Sequence, residues 1–323
     1  MFDFLLPLWN NLLVHPLISL LVLAYNIVPD FGVAVILVTV AIRLALYPLF
    51  RAQVRSSRAM QELAPALAEI KKKVGNDRAR LQQEQMKLYQ ERGINPLAGC
   101  LPMLIFFPVL FAMYAAFQQV GGLGVPALTG QQLRDNVLFR LPWSSEPLIP
   151  LPAGVGPDDH LDLAAHWLPW IGTLAHPDHL FFGWIGPLPI VSAILQLIAS
   201  IQALPRNPPK TDDPTQRTMQ QMTYYLPLIT ILFFKDLAAG VFIYYITTTI
   251  FQIVQQYFVL GWGQLARWVP ALDRFPTPAD REMRRREQAA VAEAQEDLKV
   301  AAVVARRDAN ANGGRRRGRR RRR

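Results

Sequence analysis

Apolar residues collect in blocks along the chain that approach bilayer length, and polar stretches separate them. A membrane-spanning helix needs roughly 20 mostly apolar residues to cross about 30 Å of hydrocarbon. Blocks of this kind lie at 31–50, 96–120, 180–204, 219–234 and 241–262. The pattern predicts an all-α, polytopic membrane protein with five core transmembrane helices. Residues 51–95 are polar but keep helical spacing. Leu63, Leu67, Ile70 and Val74 mark a first arm, Leu81, Met86 and Tyr89 a second, and "VGND" is the break between them, so an antiparallel helical hairpin is expected. Residues 121–179 form a loop rich in Gly, Pro, Asp and His. Residues 205–218 form a short polar loop, 235–240 a turn, and 263–323 a charged tail. In residues 1–30, Asn11, His15, Ser19 and Asn26 fall on one narrow helical stripe. An amphipathic helix lying in the outer interface satisfies that pattern. A sixth span is the alternative, and the missing Lys and Arg favour the interfacial helix.

Charge orients the spans. Residues 51–95 carry ten Lys or Arg against five acids, and 121–179 carry two against six; 205–218 carry three basic residues and the tail seventeen. Loops rich in Lys and Arg stay in the cytoplasm. The pattern therefore predicts five crossings, the N-terminus outside and the C-terminus in the cytoplasm. One cysteine, Cys100, excludes an intramolecular disulfide. The opening "MFDFLLPLWNN" lacks the basic start of a secretory signal, so the N-terminus is expected to be retained.

One residue disturbs the first block. "VILVTVAIRLALYPLF" contains Arg43 and no acid, and a charge within a span costs roughly 2.5–3.5 kcal/mol on insertion scales. Thr39 lies one turn before it and Tyr47 one turn after. Snorkelling toward the cytoplasmic headgroups is one explanation, since Arg43 is close to the end of the block. Polar stripes elsewhere offer another. Tyr245, Thr249, Gln252 and Gln256 align in the fifth block, Ser192, Gln196 and Ser200 in the third, and Thr223 and Thr230 in the fourth. Helix–helix hydrogen bonding accounts for any one stripe. Several stripes together with an unpaired arginine fit better with a shared hydrated cavity. The spans hold no acid for a proton relay, and the chain has no convincing internal repeat of the transporter type.

At these residues the chain resembles the YidC membrane-protein insertases, which have mitochondrial and thylakoid relatives. "GINPLAGCLPMLIFFPVLFAMY" resembles the family's hairpin exit and second core span, "VILVTVAIRLALYPL" its arginine-bearing span, and "KDLAAGVFIYYITTTIFQIVQQ" its last span. The resemblance implies five core helices around a hydrophilic groove that is closed toward the outside. It implies Arg43, Thr39 and Tyr245 as groove residues, and Gln196, Thr249 and Gln252 are expected beside them. Phe106, Ala238 and Thr249 stand where the family commonly has glutamine, proline and asparagine. The function so implied is that of a bacterial plasma-membrane insertase and chaperone. It would receive nascent membrane proteins in a positive groove and release their spans into lipid, without chemical catalysis or cofactor. A small-solute transporter or channel is the alternative, and a ribosome-recruiting membrane anchor a third reading.

The resemblance further implies that the hairpin makes first contact with substrate or targeting factors, and the Sec translocon is a further candidate partner. In the tail, Arg315, Arg316, Arg317, Arg319, Arg320, Arg321, Arg322 and Arg323 form a run that seeks polyanions. Ribosomal RNA and anionic lipid both fit, and binding to either would be non-specific and salt-sensitive. His160, His166, His176 and His179 gather in the 121–179 loop with four aspartates, but their spacing matches no familiar metal site. Trp167 and Trp170 are expected as anchors at the outer interface.

Overall fold

The computed structural model describes residues 5–75, 77–93, 101–122, 125–139, 146–181, 183–204, 206 and 235–279, with isolated positions in 221–233 and 281–288. Among the described residues all extended regular structure is helical. The loop at 205–218 (Arg206 apart), most of the span at 219–234, the start of the second span and the arginine run lie outside them.

α1 (Leu5–Trp9), a π-helical turn (Asn10–Val14) and α2 (His15–Ile27) follow one another without a break. The stretch Pro7–Ile27 is long and apolar enough to cross a bilayer. Its polar contacts, however, all reach one end of the molecule. Gln119 Nε2 donates to Asn10 Oδ1 at 3.5 Å, Ser19 Oγ donates to Val137 O at 3.2 Å, and Asn26 Nδ2 donates to Pro150 O at 2.9 Å. Val14, Ile18, Leu21 and Val22 are buried, whereas Leu8, Leu12, Leu20, Leu23 and Ile27 are exposed.

α3 (Phe31–Ala45) starts at Asp30, whose carboxylate accepts the Val33 N–H at 2.9 Å. The first apolar block was expected to continue to Phe50, but the helix stops at Ala45. Pro48 has no N–H to give, and its ring crowds the carbonyl four residues earlier. The chain therefore turns, and the axes of Phe31–Ala45 and Tyr47–Met60 meet at 64°. α4 (Tyr47–Glu62) leads into α5 (Ala64–Val74), and α6 (Arg78–Glu91) packs back against α5 as the hairpin pattern predicts. Gly75, at φ +69°, makes the turn between them, and Asp77 caps α6 by accepting the Arg80 N–H.

α7 (Leu101–Gly121), α9 (Pro187–Ala203) and α10 (Ala239–Val259) complete the bundle, and α10 packs against both α9 and α3. α10 begins close to α7. A Cβ on Gly240 would sit 2.1 Å from the Phe117 ring, so only glycine fits. A short helix, α11 (Leu265–Trp268), follows the bundle.

The described residues between 125 and 181 carry short helical turns and buried side chains. They include a one-turn helix, α8 (Gly130–Gln132), with a reciprocal Thr129–Gln132 capping box, and a π-helical turn (Leu133–Val137). Leu133, Leu138, Leu161, Leu163, Leu168 and Leu174 are buried and continuous with the core of the bundle. This segment also satisfies helix starts. Ala164 O accepts the Phe31 N–H, Asp178 Oδ2 accepts the Leu188 N–H, and His176 O and Leu174 O accept the N–H groups of Ala239 and Gly240.

Candidate functional site

Arg43 and Thr39 lie on the buried face of α3, at 7% and 1% exposure. They border a cavity completed by Ile42, Leu46, Phe50, Val109, Tyr244 and Thr248. Its free space is about 20 Å³, room for about one water. The Thr39 hydroxyl donates to Val35 O at 2.6 Å within its own helix. Arg43 has no carboxylate partner among the described residues; its guanidinium lies over the Phe50 ring, 4.3 Å from the centroid. A desolvated cation–π contact contributes about 2 kcal/mol. Removing an unpaired ion from water costs several kcal/mol. The contact therefore does not offset the burial, and stability alone does not account for an arginine at this position.

Tyr244 and Thr248 line the cavity, whereas Tyr245, one residue on, is about 100° further round the helix. Thr249 Oγ1 donates to Tyr245 O at 2.8 Å and lies 3.4 Å from Gln196 Oε1, so Thr249 and Gln196 meet in the seam between α9 and α10. Gln252 is half-buried farther along α10. Helix–helix contact thus draws on the Tyr245 stripe. A second stripe, with Tyr244 and Thr248 one turn apart and Gln255 beyond them, carries the cavity face. Its own i, i+4 spacing could have revealed it.

Polar groups are less well satisfied toward the hairpin. Gln202 Nε2 donates to Ile253 O and Gly261 O at 3.3 and 3.1 Å, but Gln202 Oε1, Gln255 Nε2 and Gln256 Oε1 are buried without partners among the described residues. On α4, Phe50 and Val54 are buried, and Arg58 Nη1 donates to Val259 O, the last residue of α10, at 2.9 Å. Phe50, Val54 and Arg58 recur every four residues, so one face of α4 makes all these contacts.

The histidines of the 121–179 segment go to separate partners. His160 Nδ1 lies 3.2 Å from Leu128 O, His166 joins Asp30, and His179 lies 3.1 Å from Asp236. No group of three His, Cys, Asp or Glu suited to a metal occurs among the described residues. Burial alone would raise the Asp30 carboxyl. Hydrogen bonds from the Val33 and His166 N–H groups, the His166 ring and Trp167 outweigh it and hold the group below the ordinary carboxylate range. Asp236 is also lowered, first by its hydrogen bond from Lys235. Trp167 and Trp170 are both exposed.

Comparison with known proteins gives consistent matches. The family model described as 60Kd inner membrane protein matches residues 23–264. A membrane protein insertase YidC of Wigglesworthia glossinidia brevipalpis is 28% identical over 251 residues, covering 78% of this chain and 37% of the relative. The protein of the same name from Haemophilus influenzae (strain PittEE) is 30% identical over 248 residues, covering 77% and 36%. The chain thus spans little more than a third of the length of these curated relatives. A crystal structure of an active YidC insertase with its first transmembrane domain resolved is similar at 23% identity and a TM-score of 0.46, covering 78% of this chain and 47% of that one.

Proposed function

The chain belongs to the 60Kd inner membrane protein family, and from that premise we propose that it is a membrane protein insertase and chaperone. It receives nascent membrane proteins at the Arg43 pocket and releases their apolar segments into the bilayer. The observation that carries this reading is Arg43 itself: a buried cation beside Thr39, Tyr244 and Thr248, held without a carboxylate among the described residues. An unpaired guanidinium is free to attract the acidic or polar tail of an arriving chain, and that attraction strengthens as water is excluded.

The proposed topology has five crossings, with the hairpin and basic tail in the cytoplasm. The N-terminal helix is assigned to the outer interface, although it is long enough to span. Its hydrogen bonds to Gln119, Val137 and Pro150 support this, because all three partners lie at the end of the bundle where the 121–179 segment sits. The tail arginines are proposed to bind ribosomal RNA, with anionic lipid as the competing polyanion.

Insertion of a single-span client with a short acidic outer tail, into liposomes carrying the purified chain, tests the reading by protease protection. Wild type is expected to exceed empty liposomes, Arg43→Ala to lose most of the gain and Arg43→Lys to keep part of it. Wild type no better than empty liposomes overturns the reading, and solute flux without any client would favour a transporter instead.

A further inference from the structure

Phe50 is among the residues that form the Arg43 pocket, yet it comes from a different helix, one placed there only by the 64° bend. Its ring covers the guanidinium face at 4.3 Å and is itself 8% exposed. Four and eight residues on, Val54 is buried and Arg58 clasps the carbonyl that ends α10. The clasp lies at the helix end nearest the hairpin and includes a hydrogen bond to an end carbonyl, which water can replace. Phe50, Val54 and Arg58 thus tie α4 to the Arg43 pocket and to α10 along one face.

Building on the insertase reading, we propose that Phe50 is an internal occupant of the Arg43 pocket which the polar tail of a client must displace, and that α4 is the cover carrying it. The aromatic face supplies partial negative charge to the guanidinium in the resting protein, and a carboxylate supplies a full one during insertion. Exchange of the ring for the tail needs α4 to swing from α10, and release of Arg58 from Val259 O permits the swing. Phe50 then sets a threshold. Tails able to pair with Arg43 compete with the ring, whereas wholly apolar tails do not. Phe50 is in this sense a specificity residue that acts through Arg43.

The test uses the full chain in proteoliposomes with Cys100→Ser and a reporter, Thr39→Cys, labelled by a water-soluble anionic methanethiosulfonate. Phe50→Ala is expected to raise the labelling rate about thirtyfold, the scale of a lost desolvated cation–π contact. Phe50→Trp should leave it slow, because the aromatic face is retained. Arg58→Gln, which leaves the pocket residues unchanged, should also raise it. An unchanged rate in both Phe50→Ala and Arg58→Gln overturns the cover. A rise with Phe50→Ala alone keeps the ring as occupant and overturns the clasp. Adding the acidic-tailed client should protect the reporter at lower client concentration in Phe50→Ala than in the parent. Lack of protection in every variant would count against the insertase reading and leave the labelling result for the cover standing, so the two failures are separable.

Discussion

Where α3, α9 and α10 begin, each helix finds acceptors for its free N–H groups in the 121–179 segment or at Asp30. Leucines of that segment fill the space beneath them. At the opposite end, Gln202 Oε1, Gln255 Nε2 and Gln256 Oε1 are buried without partners among the described residues, and Phe50, Val54 and Arg58 carry contacts of α4 there. Buried groups without partners cost about 1–3 kcal/mol each. One end is thus closely packed and satisfied apart from His179 Nε2, and the other keeps more polar capacity in reserve. The proposed insertase, which would admit polar chains from one side and stay shut on the other, needs both conditions at once.

Substitutions of matched kind should act oppositely at the two ends. Gly240→Leu is expected to destabilise most, by about 3 kcal/mol, because the added side chain must displace the Phe117 ring. Thermal unfolding in detergent would show it, and Phe117→Ala in the same chain should recover part of the loss. Asp178→Ala removes the acceptor for the Leu188 N–H and should cost about 1–2 kcal/mol by the same measurement. Gln255→Leu at the other end should instead stabilise by about 1 kcal/mol, since it deletes a buried Nε2 with no partner among the described residues. Equal losses for Asp178→Ala and Gln255→Leu would break the comparison.

Acid gives a finer test. The Asp30 carboxyl is depressed in the folded protein. Its stabilisation is complete above the ordinary carboxylate pKa of about 4 and is lost as pH falls through the lower folded value. Unfolding temperature followed from pH 6 downward should fall less steeply in Asp30→Asn than in the parent. The smallest effect is expected for Thr39→Val, within about 0.5 kcal/mol, because the hydroxyl already bonds to its own helix. A larger loss would mean that the Thr39 hydroxyl serves the pocket directly.

Arg43 and Thr39 were legible because an i, i+4 pair shares a face whatever surrounds the helix. The choice between Tyr244 and Tyr245 was not legible. Adjacent residues differ by about 100°, and the rotation of α10 depends on its packing against α9, α3 and Phe117, all distant in sequence. The hairpin could be read from its periodicity, but the partition of its first arm into α4 and α5 could not. Leu63 keeps the spacing of the first arm, yet the helix breaks there and restarts at Ala64 with Pro65 in its first turn. The packed segment at 125–181 gave no sign of itself, because its buried leucines follow no period and meet only in the fold. Phe50 looked like the last residue of a span, and Pro48 makes it the beginning of something else.

The bend at Leu46 also makes α4 a lever. Phe50 lies four residues from the fulcrum, about 6 Å along the helix, and Glu62 lies sixteen, about 24 Å. Movement at the far end is therefore scaled down roughly fourfold at the ring, and force applied there is multiplied by the same ratio. In the proposed opening, a weak pull at the far end of α4 would reach the Phe50 ring with about four times the force.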